Sequence, residues 1–333
     1  MIRCRHISSG SRIAPLPAAA AGSLFEIAFE GGSMNTRTKG IVVYLLIAFS
    51  LAWIPWEIII RHGISVRTPM FQFAALPSAF APAFAAFVVR KWITREGFAD
   101  AGLRLDLSKW RYYLVGWLLP LVVVGCIVVL APLLGLGRAD LSMVRGVKAI
   151  LPPGAPLPHI PNLWIAAAGL TLFSIPGALA SFGEEFGWRS YLQIRLFPQQ
   201  PVLSAVVTGL IWSFWHFPVL IRGYAFPDDP YLGVFIFSVS GVLLSIIFGW
   251  LRVRTGSIWS SSLAHAATNA VGGNLTVFLF AGGASLLWVS DLGILAWVPL
   301  GALSAWIVFT GQLKQAISLP SQTGPEYAVQ AST

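Results

Sequence analysis

Apolar runs of about twenty residues, the length a helix needs to cross a hydrocarbon core about 30 Å thick, recur along the chain. Eight are read at 40–60, 69–89, 112–134, 163–197, 202–220, 231–251, 257–280 and 287–310. Short basic, polar or proline-rich breaks separate them. A membrane β-barrel would show ten-residue alternating segments instead. The pattern predicts an all-α, polytopic membrane bundle of about eight transmembrane helices. The fourth run is too long for one straight span, so a break is expected near Pro176, where a proline–glycine pair interrupts it. The part beyond would be a separate helical arm, ended by Pro198 and Pro201.

Composition agrees. Of 333 residues 56% are hydrophobic and only 11% charged, with mean hydropathy +0.75, whereas a soluble domain is about 25% charged. Lys and Arg outnumber Asp and Glu by 22 to 13. In a soluble chain that excess would suggest nucleic acid, but here basic residues flank spans, and no basic stretch interleaves with exposed aromatics. Their bias between alternate loops predicts both termini on the cytoplasmic side. Cys4 and Cys126 are the only cysteines, and with Cys126 in mid-span no disulfide is expected.

Four regions are expected. Residues 1–33 hold Arg3, Arg5 and Arg12 and a weak apolar stretch that makes a poor signal peptide. Met34 precedes a basic segment and a strong span, so the expected start is Met34, with 1–33 disordered or untranslated. Residues 34–150 are N-terminal membrane helices, 160–312 a membrane domain carrying the chemistry, and 313–333 a disordered cytoplasmic tail. The loop at 135–162 is proline-rich and reads as an irregular cap or re-entrant cover. No internal repeat of the transporter kind is visible.

Three groups of polar residues stand out inside the apolar runs, where ionisable side chains are costly and point to function. Glu184, Glu185 and Arg189 lie in the fourth run, His216 in the fifth, His265 and Asn269 in the seventh. Four-residue spacing puts Glu185 with Arg189, and His265 with Asn269, on shared helix faces. Glu184 is rotated by about 100° from Glu185 and is free to face elsewhere. At 1.5 Å per residue Glu184 lies about 20 Å, His216 about 21 Å and His265 about 16 Å from the same membrane edge. Three spans thus place polar groups at similar depth. Glu57 and Asp291, near span ends, read as snorkelling or water-facing groups.

A carboxylate beside a neutral imidazole can activate water for attack on a carbonyl. The same Glu184, His216 and His265 offer two nitrogens and one oxygen for Zn²⁺ with an open fourth position, so zinc is a possible cofactor. His265 and Asn269 can donate to a tetrahedral oxyanion. Taken singly, each motif has a plainer reading as a helix–helix hydrogen bond or a structural clamp. Glu185 and Arg189 fit a clamp as well as they fit chemistry.

The order of these motifs resembles the CPBP family of CAAX proteases and bacteriocin-processing enzymes, also called Abi. Its first signature, two glutamates, three residues and an arginine, is matched by Glu184, Glu185 and Arg189. Its second has an aromatic, usually Phe, four before a histidine; here Trp212 precedes His216. Its third is matched by His265 and Asn269, and the likeness covers about residues 160–282. The resemblance implies an intramembrane endopeptidase with CAAX-type C-terminal processing. It implies Glu184 and His216 as water activators and His265 and Asn269 as oxyanion donors, and it leaves a metal open. No HExxH, paired GxGD-type aspartates or rhomboid-like serine motif is present. Expected partners are membrane lipid and a peptide or protein substrate entering from the membrane or cytoplasmic side, without nucleic acid; the expected location is a bacterial inner membrane. Two competing readings remain: a non-catalytic bacteriocin-immunity or scaffold protein, and a proton-coupled transporter.

Overall fold

Apolar side chains that would be misplaced on a soluble surface cover the outside of the bundle. Phe73 is 79% exposed, Phe173 67% and Leu179 63%. A lipid-facing surface needs such residues, and its backbone must satisfy itself, which helices do. The computed structural model describes residues 29–30, 33–152 and 154–314. The expectations for 1–28, 31–32 and 315–333 therefore lie outside the described residues. Within Met1–Lys39, β1 (Phe29–Glu30) pairs antiparallel with β2 (Ser33–Met34). From Gly40 onward the chain forms one unit.

Ten helices matter for the site. They are α1 (Thr36–Arg61), α2 (Pro69–Ile93), α3 (Trp110–Leu133) and α4 (Val144–Ile150), then α5 (Leu163–Gly187) and α6 (Pro201–Trp215). The last four are α7 (Pro230–Thr255), α8 (Ile258–Ala267), α9 (Asn274–Phe280) and α10 (Trp297–Phe309). The predicted class is therefore correct: the described chain is an all-helical membrane bundle. Six of the helical segments are long and apolar enough to cross a membrane. The predicted fifth and seventh spans are not among these six. The fifth stops after Trp215, where Pro218 supplies no backbone N–H. The seventh is divided by a π-helical turn at Thr268–Gly273.

Local chemistry explains the ends. The side chains of Asn162, Asp229 and Ser257 accept from the first-turn N–H groups of α5, α7 and α8. Gly256, at φ 67°, closes α7 in a left-handed conformation. Gly40, Tyr44, Ala48, Ala52 and Trp56 recur every four residues and form the buried stripe of α1.

The expected break near Pro176 is not where the fourth span changes. The helix runs unbroken through Pro176 to Gly187, and a π-helical turn follows at Trp188–Leu192. Neighbouring groups hold the helix around the proline, as is usual within membrane helices. Thr171 Oγ1 donates to Ala167 O at 2.7 Å, Ser174 Oγ to Thr171 O at 2.6 Å, and Trp117 Nε1 of α3 to the same carbonyl at 2.9 Å. The acidic motif is thus the end of one continuous helix and not a separate arm.

Close backbone approach sets this helix against α2. A Cβ on Gly183 would meet the Ala79 carbonyl oxygen at 2.5 Å, so only glycine fits. The loop at 135–162 is more ordered than an irregular cap. It contains α4, which packs on α9, and Asp140 N donates to Leu279 O at 2.8 Å. Glu57 is half-buried and pairs with Arg222 at 2.9 Å. Asp291 is not water-facing: it is 8% exposed, beside Thr268, Leu119 and Leu244.

The loop after α2 is strapped to the end of the acidic segment. Asp100 accepts from Arg90 Nη1 at 2.6 Å and from Arg195 Nη2 at 2.8 Å, and its carbonyl accepts from Arg252 Nη2 at 2.6 Å. Burial pushes the Asp100 carboxyl up, but the Arg90 hydrogen bond and the charges of Arg195 and Arg90 outweigh it and hold it below its ordinary value. Its stabilisation is therefore present above the unfolded value, about 3.9, and is lost as pH falls through the lower folded one. Asp100→Asn is expected to cost on the order of 1–3 kcal/mol at neutral pH. It should also flatten the acid limb of a melting-temperature profile below about pH 4. An unchanged acid limb in the variant would show that Asp100 does not carry it.

Candidate active site

Every one of the three motifs sits where an α-helix is disturbed. Arg189 lies in the π turn after α5, and Asn269 in the π turn after α8. His216 caps the end of α6, with its N–H turned to Ser213 O in a tightened last turn. Such interruptions are costly in lipid and mark functional positions.

Trp212 of α6 joins these residues. Its indole Nε1–H donates to Glu184 Oε2 at 2.7 Å, at the short end of the charge-assisted range. Its backbone carbonyl accepts from His216 Nδ1 at 2.9 Å. A carbonyl only accepts, so His216 carries its proton on Nδ1 and leaves Nε2 as an acceptor. The Trp212 ring lies edge-on to both imidazoles, 5.7 Å from His216 and 5.3 Å from His265 between centroids. Glu184 is 9% exposed and His265 4%; His216 is half-buried.

Glu185 has different partners. Its Oε1 accepts from Arg189 Nη1 at 2.8 Å and from His265 Nδ1 at 2.9 Å. The carboxylate thus fixes the His265 ring with Nε2 free, while Arg189 neutralises the carboxylate. Glu185 is 0% exposed and Arg189 1%. The guanidinium carbon stands 4.5 Å from the Trp212 ring centre and 5.2 Å from that of Phe248. Those aromatic faces meet the cation where Nε and Nη2 have no hydrogen-bond acceptor.

The sequence-predicted residues therefore divide. Glu184, His216 and His265 surround one tryptophan, and Glu185 with Arg189 forms a clamp beneath His265. Asn269 stands apart. It is exposed, whereas His265 is buried, and its side chain takes no part in the hydrogen bonds joining the others. Asn269 is the second residue of the π turn that begins at Thr268.

Two contributors were not among the predicted site residues. Trp212 was visible only as the aromatic four before His216. Phe248, from α7, stacks on His265 with centroids 5.7 Å apart and has no sequence signal, being one apolar residue in an apolar span. The N-terminal helices carry no motif, yet α1 supports the site. Trp53 Nε1 donates to Trp215 O at 2.8 Å, and Trp215 Nε1 donates to Ala48 O at 3.1 Å.

Among the described residues no three His, Cys, Asp or Glu side chains are grouped to hold an ion. Glu184 Oε2 faces an indole N–H, which leaves Oε1, and each histidine donates through Nδ1, which leaves Nε2.

No curated protein matches the chain. A stretch of it does match a family model. Residues 166–271, which contain all three motifs, match the model described as type II CAAX prenyl endopeptidase Rce1-like, in agreement with the family that the motif order resembled.

Proposed function

We propose that the chain is an intramembrane endopeptidase that hydrolyses a peptide bond near the C-terminus of a CAAX-type, lipid-modified substrate. The observation that carries this reading is the gathering of one carboxylate and two imidazoles, from three helices, around the single side chain of Trp212. Glu184 takes a proton from water and His216 Nε2 accepts a hydrogen bond from the same water, aiming its oxygen at the scissile carbonyl. Glu184 then passes that proton to the leaving amine as the C–N bond breaks, while His265, oriented by Glu185 through Nδ1–H, donates to the developing oxyanion from Nε2 when the ring is the imidazolium. Asn269, being exposed, serves this reaction by meeting the substrate at the rim. No step is routed through a metal. The protein is an integral, multi-pass membrane protein, for which we propose a bacterial inner membrane with both termini cytoplasmic.

The test is direct. Purified chain in lipid nanodiscs is given a prenylated peptide ending in three further residues, and release of the free tripeptide is followed. His216→Ala is expected to lower kcat by about 10²–10⁴-fold. Wild-type release with unchanged rate in His216→Ala protein would remove His216 from the reaction. No release from any prenylated or unmodified peptide would favour the immunity or scaffold reading.

A further inference from the structure

Trp212 holds both members of the proposed water-activating pair through different atoms. The indole N–H reaches Glu184 Oε2 at 2.7 Å, and the backbone carbonyl takes His216 Nδ1–H at 2.9 Å. The ring also closes the space between the Arg189 guanidinium, 4.5 Å from its centre, and the His265 imidazole at 5.3 Å. A phenylalanine, the usual residue at this place in the motif, would keep the carbonyl and much of the ring. It would lose the N–H. We infer that the indole N–H of Trp212 is a positioning group for Glu184, fixing which carboxylate oxygen is left to meet water. The inference rests on the reading of Glu184 as the proton acceptor.

Chemistry makes that role specific. A carboxylate has two equivalent oxygens and about four acceptor directions. In a nearly dry pocket it rotates until one oxygen finds a donor, because an unmade hydrogen bond to a buried charged group is costly. Trp212 supplies the donor to Oε2, so Oε1 is left for substrate water. Trp212 touches neither water nor substrate in this scheme. It acts through Glu184, and the His216 contact, made by its backbone, survives any side-chain replacement. The two functions of the residue can therefore be separated experimentally.

Two full-length variants do so. Trp212→Phe removes the N–H and shrinks the ring. Replacement of Trp212 by benzothienylalanine, introduced by codon suppression, keeps the bicyclic shape and removes only the N–H. Both are expected to lower kcat by about tenfold to a hundredfold and to leave KM within about threefold, because substrate binding does not use the group. A benzothienylalanine enzyme with wild-type kcat would overturn the inference, since ring volume would then suffice.

A second readout does not depend on turnover. In protein labelled with ¹⁵N-tryptophan, the indole cross-peak missing from Trp212→Phe belongs to Trp212. Glu184→Ala is expected to shift it upfield by removing its acceptor, while Glu184→Gln, which retains a carbonyl oxygen, shifts it less. A cross-peak indifferent to Glu184→Ala would also overturn the inference. If wild-type protein hydrolyses nothing while the cross-peak still answers to Glu184→Ala, the proteolytic reading fails and the hydrogen bond stands, so the two failures are told apart.

Discussion

Glu184→Gln protein is expected to fold as wild type does and to lose about 10²–10⁴-fold in kcat. The geometry makes this substitution unusually clean. Glutamine has nearly the shape of glutamate, and its carbonyl oxygen still accepts the Trp212 N–H that now ends on Oε2 at 2.7 Å. No buried cation depends on Glu184 for a hydrogen bond; the Arg189 guanidinium bonds to Glu185. What disappears is the capacity to take a proton. Activity should fall while the elution volume in detergent is unchanged and the unfolding free energy stays within about 0.5 kcal/mol of wild type. Release of tripeptide at the wild-type rate would assign the base elsewhere. A variant that fails to fold would show that the carboxylate is structural, contrary to its half-satisfied position beside an indole. Trapping follows from the same reasoning: a folded but inert Glu184→Gln chain should retain bound peptide, because the groups proposed to bind the substrate remain.

Much of this site could be read in the sequence because polar residues in a membrane span are conspicuous against their neighbours. Glu184, His216 and His265 were found from cost and depth alone, and their meeting around Trp212 follows from helices that cross the same slab at similar height. The all-helical class was legible for the same reason, since run length sets the element. The errors came from departures from the ideal helix. A proline signals a lost hydrogen bond, but not whether Ser174, Thr171 and Trp117 repair the region around Pro176. No residue signals a π turn such as the one at Thr268–Gly273, and Asn269, expected to act beside His265, is exposed where His265 is buried. The predicted fifth and seventh spans are not among the six long apolar helices; a helix ends at Trp215 in the one, and Thr268–Gly273 is a π turn within the other. Asp291 was misplaced because its burial depends on how the last helix packs beside Thr268, which a local pattern does not contain.

Glu185→Ala should instead act on stability. Glu185 and Arg189 are 0% and 1% exposed, and the pair is closed at 2.8 Å. Removing one partner of a buried pair leaves the other charge unpaired, which costs about 3–5 kcal/mol. Arg189 has little to fall back on, because its Nε and Nη2 already lack acceptors and its flanks are the Trp212 and Phe248 rings. Removing both charges is a different experiment. Glu185→Leu with Arg189→Met takes away the uncompensated ion, and replacing a whole buried pair by apolar groups is often nearly neutral. The double variant is therefore expected to be more stable than Glu185→Ala, measured as the midpoint of detergent-induced unfolding. Its activity should stay low, since His265 Nδ1 would have lost its acceptor at 2.9 Å and with it the fixed direction of Nε2. Stability recovered without activity would assign this pair two separable duties, holding the helix end and aiming the imidazole. Effects that simply add, with the double variant as unstable as the sum of the singles, would mean that the ion pair is not coupled and that the clamp is an accident of proximity.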